Sequence, residues 1–171
     1  MLTQDQDRRT TKLRGNVLVV DDCADSRVVA ARVLRYMGLV VETSENGAEA
    51  CQRTLDSISG NRPFDLIITD LHMPVMDGYA ATALLRSRGY RGRIAALSAD
   101  VTDESRQKCR AAGCDDLAIK PITFEKLYDI ALRNLQMSAD HLVKSIPAPP
   151  CASKLPSHRA GRATFSTSLI T

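Results

Sequence analysis

The sequence predicts an α/β fold, a doubly wound parallel sheet of five strands with five helices, (βα)5. Three observations lead there. Continuous apolar runs such as Val17-Leu18-Val19-Val20 and Leu66-Ile67-Ile68-Thr69 are short and rich in β-branched residues, as strands buried on both faces require. Between these runs lie stretches whose apolar residues recur at helical spacing. The two patterns alternate along the chain, and that alternation implies right-handed crossovers onto one parallel sheet. With 171 residues, one domain with a substantial core is expected.

The elements follow in order. Residues 1–14 are polar and charged without periodicity and read as a disordered tail, leaving 15–137 for the domain. The first strand, Val17 to Val20, runs into Asp21-Asp22. Asp25 or Ser26 is placed to cap the first helix, which puts Val29, Val33 and Tyr36 or Met37 on its buried face and stops at Gly38. Leu39-Val40-Val41 opens the second strand. Asn46 is the N-cap of the second helix, with Glu49 three residues on in a variant of the capping box, and that helix ends near Ser57. The third strand, Leu66 to Thr69, ends on the carboxylate of Asp70, and Pro74 and Asp77-Gly78 then turn the chain. A helix covers about Tyr79 to Arg86. Ile94 to Leu97 is the fourth strand, ending at Ser98, and the helix after it starts near Thr102 or Asp103 and closes before Gly113. Leu117 to Ile119 is the fifth strand, ending at Lys120-Pro121. Thr123 caps a last helix that reaches about Gln136. Beyond it, Ile146-Pro147-Ala148-Pro149-Pro150 and a Ser/Thr/Arg-rich stretch read as a second disordered tail, 138–171.

Composition narrows the function classes. Apolar residues make up 44% and charged residues 25%, ordinary values for a globular protein. No apolar run reaches the length of a membrane span, and the first residues lack the apolar stretch of a signal peptide, so a cytoplasmic protein with no membrane partner is expected. Cys23, Cys51, Cys109, Cys114 and Cys151 are odd in number and lack Cys-x-x-Cys spacing, which fits reduced thiols and neither a disulfide framework nor a zinc site. Of the net charge of +3, residues 1–14 carry +2 and residues 138–171 carry +3, while 15–137 carry −2. The basic surplus therefore lies in the tails, and no nucleic acid is expected on the core domain.

The strand ends carry the chemistry. Asp21-Asp22, Asp70, Ser98 and Lys120 each stand at the carboxyl end of an expected strand. In a parallel sheet those ends share one edge, which is where open α/β sheets bind their ligands. Three converging carboxylates repel unless a cation lies among them, and hard oxygen donors suit Mg²⁺. A lysine and a hydroxyl beside that ion suit a phosphoryl group. Any one of these residues occurs by chance; all of them at strand ends, in this order, form a specific pattern.

At these residues the chain resembles the receiver domain of two-component response regulators. The resemblance covers about Asn16 to Gln136 and rests on Val-Leu-Val-Val-Asp21-Asp22, Asp70-Leu-His-Met-Pro-Val-Met-Asp-Gly, Ala-Leu-Ser98-Ala and Lys120-Pro121-Ile122. Glu45-Asn46-Gly47-Ala48-Glu49-Ala50 and Ala112-Gly113-Cys114-Asp115-Asp116 fit as well, and the Met-Pro-Val-Met-Asp-Gly-Tyr version is most similar to receivers of hybrid sensor histidine kinases.

The resemblance implies a flavodoxin-like receiver fold and a phosphorylation-dependent signalling switch in place of an enzyme. It makes Asp70 the phosphoacceptor. Mg²⁺ would be held by Asp22 directly, by Asp21 mainly through water, by Asp70 and by the backbone carbonyl of His72. Lys120 would pair with Asp70 and then with the phosphate, Ser98 would bond a phosphate oxygen, and the Lys120–Pro121 peptide would be cis. A sensor histidine kinase or histidine phosphotransfer protein would donate the phosphoryl group. A downstream protein would read the fourth helix, fifth strand and fifth helix. One departure stands out: where the family has Tyr or Phe, three residues before the lysine, this chain has Leu117. Met73, Met76 and Cys23 are expected to pack, and Asp77-Gly78 to shape the turn.

The alternative from another class is a Mg²⁺-dependent phosphatase or phosphotransferase of haloacid-dehalogenase type, which also uses a strand-end Asp, Mg²⁺ and a lysine. It wants a second acid two residues after the nucleophile, where this chain has His72. A dinucleotide-binding fold is excluded, because the first strand leads into Asp-Asp-Cys-Ala-Asp and not a Gly-x-Gly-x-x-Gly turn.

Overall fold

The computed structural model describes residues 12–144, with side chains to residue 136. Its elements are β1 (Asn16–Val20), α1 (Ala24–Tyr36), β2 (Val40–Ser44), α2 (Gly47–Ser59), β3 (Leu66–Asp70), α3 (Gly78–Ser87), β4 (Arg93–Ser98), α4 (Asp103–Ala112), β5 (Asp116–Ile119) and α5 (Phe124–Lys144). The five strands form one parallel sheet in the order β2-β1-β3-β4-β5. The chain leaves β1 for one side and returns to the other, so the switch point of the sheet lies between β1 and β3.

Alternation along the strands divides the core between the two faces. Val17, Val19, Leu66 and Ile68 pack with Leu34 of α1 and Leu127, Ile130 and Ala131 of α5. Leu18, Val20 and Ile67 pack with Ala50 and Cys51 of α2 and with Ala81 and Leu85 of α3. Each fully buried Leu or Ile contributes about 1.5–3 kcal/mol. Such side chains fill β1 and β3, and this makes them the rigid strands on which Asp21 and Asp70 are mounted.

Caps set where the helices begin. Asn46 accepts from Glu49 N at 2.9 Å, and Glu49 reaches back to Glu45 N at 3.0 Å, one residue short of the reciprocal bond of a full capping box. Thr102 and Ser105 do form a full box at α4, which ends at Gly113 with φ +95°. Thr123 Oγ1 accepts from Lys126 N at 3.3 Å at the start of α5.

Four expectations need correction. First, α1 starts at Ala24 with Cys23 as N-cap and no side-chain cap, so neither Asp25 nor Ser26 fills that role. Second, its buried strip is Ala31, Leu34 and Met37, while Val29 is 60% and Tyr36 82% exposed. The cause is geometric. Beside the loop leading into α5, α1 leaves a cavity of about 600 Å³ lined by Val29, Ala30, Val33, Ile122, Phe124 and Leu127, among others, so Val29 faces a space, while Val33 borders it and is half-buried against the core. Third, α5 continues to Lys144, past Gln136 and into the segment read as a tail; the rest of that reading, 145–171, lies outside the described residues. Fourth, Leu13 belongs to the core, only 7% exposed, and its N–H donates to Met37 O at 2.9 Å. A lone apolar residue among charges gives no periodic signal, so nothing in the local pattern marks Leu13 as core.

Candidate functional site

The carboxyl edge of the sheet brings Asp21, Asp22 and Asp70 together, with one carboxylate oxygen of each within 4.8 Å of the others. Asp21 and Asp70 are buried and Asp22 is exposed. Lys120 Nζ sits 2.6 Å from Asp70 Oδ2 and 2.8 Å from Asp21 Oδ2. The remaining oxygens of the two buried acids also have donors. Asp21 Oδ1 accepts from Cys23 N at 2.9 Å, and Asp70 Oδ1 accepts from His72 N at 3.2 Å. Three carboxylates facing one ammonium leave a surplus of negative charge. Burial works to lower the Lys120 ammonium pKa, but the hydrogen bonds and charges of Asp21 and Asp70 outweigh it and hold it above the ordinary lysine value. Lys120 is therefore a fixed cation at neutral pH.

Ser98 lies at the end of β4, fully buried, and its hydroxyl has no partner among the described residues. Buried polar groups are nearly always hydrogen-bonded, so such an exception calls for an explanation. The Lys120–Pro121 peptide is cis, and Lys120 N donates to Ser98 O at 2.7 Å, which ties the fifth strand's end to the fourth's.

The loop after β3 is built tightly. Asp77 is the N-cap of α3, accepting from Ala80 N at 2.7 Å. A Cβ on Gly78 would stand 2.2 Å from Asp70 O, so only glycine lets α3 start against the end of β3. Met73 and Met76 pack into the α2–α3 side of the core, as expected. The imidazole of His72 is exposed, lies edge-to-face with the Tyr79 ring at 6.5 Å between centroids, and is not among the three clustered acids. Cys23 was expected to pack but is exposed. Leu117 is half-buried against the small cluster of Leu71, Ala96 and Cys109 under α4.

Two participants escaped the sequence reading. Arg27 on α1 donates from Nη1 to the carbonyls of Asp21 and Asp22. Its only signal was a position one turn into the helix after the acids. The cavity beside α1 was the other; it opens on Asp21 and Lys120, and the exposed Val29 of α1 lines it. Among the described residues no helix is long and apolar enough to cross a membrane.

A parallel five-stranded sheet with three carboxylates, a lysine and the unpaired hydroxyls of Ser44 and Ser98 at its carboxyl edge gathers charged and polar groups where open α/β sheets bind their ligands. Residues 17–132 match the family model of the response regulator receiver domain, and the chain belongs to that family. Its function is phosphorylation-dependent signalling in a two-component system. The chain is 41% identical over 113 residues to a two-component response regulator of Oryza sativa subsp. japonica, covering 65% of this chain and 87% of the rice protein. It is 40% identical over 128 residues to hybrid signal transduction histidine kinase E of Dictyostelium discoideum, covering 72% of this chain but only 7% of the kinase. The chemotaxis protein CheY4 of Vibrio cholerae shares the fold with a TM-score of 0.65 at 30% identity, over 72% of this chain and 100% of that one. The haloacid-dehalogenase alternative finds no support in these relatives.

Proposed function

We propose that Asp70 is the phosphoacceptor and that Asp21, Asp22, Asp70 and the carbonyl of His72 hold Mg²⁺. The acid cluster fits the ion: its donors are hard oxygens and its negative charge exceeds what Lys120 neutralises. Bound Mg²⁺ would offset the repulsion between an incoming phosphate and the acids.

The protein's own groups do the rest. Asp70 Oδ attacks phosphorus as the phosphorus–nitrogen bond of a phosphohistidine breaks, and the donor imidazole leaves with the electron pair. Lys120, already charged and 2.6 Å from Asp70, follows the negative charge onto the phosphoryl oxygens. Ser98 donates its free hydroxyl to one of them. That hydroxyl is the observation that carries the reading: of the two buried hydroxyls without a partner among the described residues, Ser44 and Ser98, Ser98 is the one whose residue is bonded to Lys120, beside Asp70, where a phosphoryl oxygen would accept from it.

The donor is a sensor histidine kinase or histidine phosphotransfer protein, and the setting is cytoplasmic. The downstream partner reads α4, β5 and α5, which adjoin Ser98 and Lys120. Leu117 has no ring to swing inward, so rearrangement concentrates in Ala99 to Asp103. Catalysis is self-directed: the domain gains and loses its own phosphate and turns over no other substrate.

The test is labelling with acetyl phosphate and Mg²⁺. An acid-labile phosphoryl group should form and be absent in Asp70→Asn. Label that persists in that variant overturns the assignment, and turnover of a generic phosphate ester would reopen the enzyme reading.

A further inference from the structure

Arg27 touches no carboxylate of the acid cluster, yet it is tied to that cluster's backbone. From the first turns of α1 its guanidinium reaches back over the loop joining β1 to α1. Nη1 donates to Asp21 O at 2.5 Å and, more weakly, to Asp22 O at 3.4 Å. Nη2 lies 3.6 Å from Glu45 Oε2 on the neighbouring loop after β2. The Arg27 side chain is only 16% exposed, against 66% for Glu45. The carbonyl bonds therefore matter more than the ion pair, which solvent screens.

This loop has few other supports. Cys23 caps α1 without a side-chain bond. Asp21 is held at both carboxylate oxygens, by Cys23 N and Lys120 Nζ. Asp22 is exposed and its carboxylate has no hydrogen bond within the described residues; Arg27 reaches its carbonyl only at 3.4 Å and holds this turn of the loop chiefly through Asp21 O. Nη1 serves both carbonyls while Nη2 faces Glu45, a division of donors that the planar guanidinium fixes and a compact ammonium does not.

We infer that Arg27 is a positioning residue of the cation site: by holding the carbonyls of Asp21 and Asp22 it keeps both carboxylates turned toward Asp70. The inference rests on the reading of the three acids as a divalent-cation site. It has a built-in discriminator. A nearby positive charge repels a cation, so if Arg27 acted by charge alone, its removal would tighten binding. Positioning predicts the reverse.

The experiment is a Mg²⁺ titration of the full chain by calorimetry, with amide NMR of Asp21 to Cys23 recorded before and during it. Arg27→Met, which keeps length and loses charge, should weaken Mg²⁺ binding about tenfold, the scale seen when a group behind a metal ligand is removed. Arg27→Lys, which keeps charge and loses the fork, should weaken it several-fold, and it decides the matter should the Met variant fail to fold. In both, the amides of Asp22 and Cys23 should shift before any Mg²⁺ is added. Glu45→Gln should change affinity by less than Arg27→Lys. Tighter binding in Arg27→Met, or unchanged affinity in both variants while the wild type saturates, overturns the role of Arg27 and leaves the cation site standing. No saturable response in the wild type overturns the cation reading and this inference with it.

Discussion

The two edges of the sheet use the same residue types to opposite ends. At the amino edge, charges are matched. Asp115 accepts from Ile94 N at 2.8 Å, from Arg86 at 2.6 Å and from Arg93 at 3.0 Å. Arg86 spends its other donors on Gly113 O, Tyr90 O and Gly92 O. Asp65 accepts from Asn16 N at 2.7 Å, and the Tyr90 hydroxyl, pushed up by burial, donates to Phe64 O. At the carboxyl edge, Asp21 and Asp70 share one lysine with the exposed Asp22 beside them, and the buried hydroxyls of Ser44 and Ser98 have no partner among the described residues. A matched edge closes the fold; an unmatched edge holds unsatisfied groups for a ligand to satisfy. Stability and function are thus placed at opposite ends of the same strands.

The sharpest way to break this comparison is Asp115→Ala. It removes one ion-pair partner from each of Arg86 and Arg93 and leaves the Ile94 N–H without its carboxylate acceptor. Leaving a donor without its acceptor costs about 1–3 kcal/mol, and more where the donor is charged. With Asp115 24% exposed, about 3 kcal/mol is expected, a fall in Tm of about 10 °C. Asp22→Ala at the other edge removes only a like charge and should leave the metal-free protein as stable or more so. Urea unfolding of both decides. A larger loss in Asp22→Ala would mean that the carboxyl edge, too, is built for stability. Next in size is Leu13→Ala, which empties a buried site against Met37 at the amino edge. It should cost about 2 kcal/mol. Thermal melts of a chain lacking residues 1–11 should match the wild type, and one lacking 1–13 should match Leu13→Ala.

How much of this was legible follows from the physics of each signal. The acids, the hydroxyl and the lysine of the carboxyl edge are legible, because a buried parallel strand is a continuous apolar run and a polar residue ending it stands out. Asp21, Asp22, Asp70, Ser98 and Lys120 all lie where that reasoning put them. The amino edge was not read at all. Asp115, Arg86 and Arg93 come from three separate elements, and nothing local marks them as partners. The same holds for Arg27, whose acceptors are main-chain carbonyls that carry no residue identity. On α1, periodicity counted valines as buried, but the helix borders a cavity, and burial there depends on a neighbour that the local pattern does not encode.

Ser98→Ala tests the unmatched edge from the side of stability. Its hydroxyl costs desolvation and makes no bond, so removing it should leave the ligand-free protein unchanged or more stable by up to about 1 kcal/mol. The same change should slow phosphoryl acceptance by acetyl phosphate, because the ligand loses its donor. A marked loss of stability in the ligand-free variant would show that Ser98 is satisfied without ligand, and the contrast between the edges would fail at its clearest point.

The smallest effect concerns Val75, in the loop between Asp70 and α3. Its φ is +70°, and Met76 N donates to Pro74 O at 2.8 Å, which makes a three-residue turn of the strained positive-φ kind. A β-branched residue there costs about 1–2 kcal/mol, since Cβ crowds the following carbonyl. Val75 is 85% exposed, so it packs against little in return. Glycine relieves the crowding but gains freedom in the unfolded chain, which takes back about 0.5–1 kcal/mol. Val75→Gly should therefore stabilise by about 0.5–1 kcal/mol in urea unfolding. The acceptor should keep its labelling rate, because the Asp77 cap and the close approach of Gly78 hold the loop independently. A variant that gains stability while losing its labelling rate would give Val75 a part in aiming the loop. The carboxyl edge would then hold conformational strain as well as unpaired polar groups, and the two edges would differ in backbone as well as in charge.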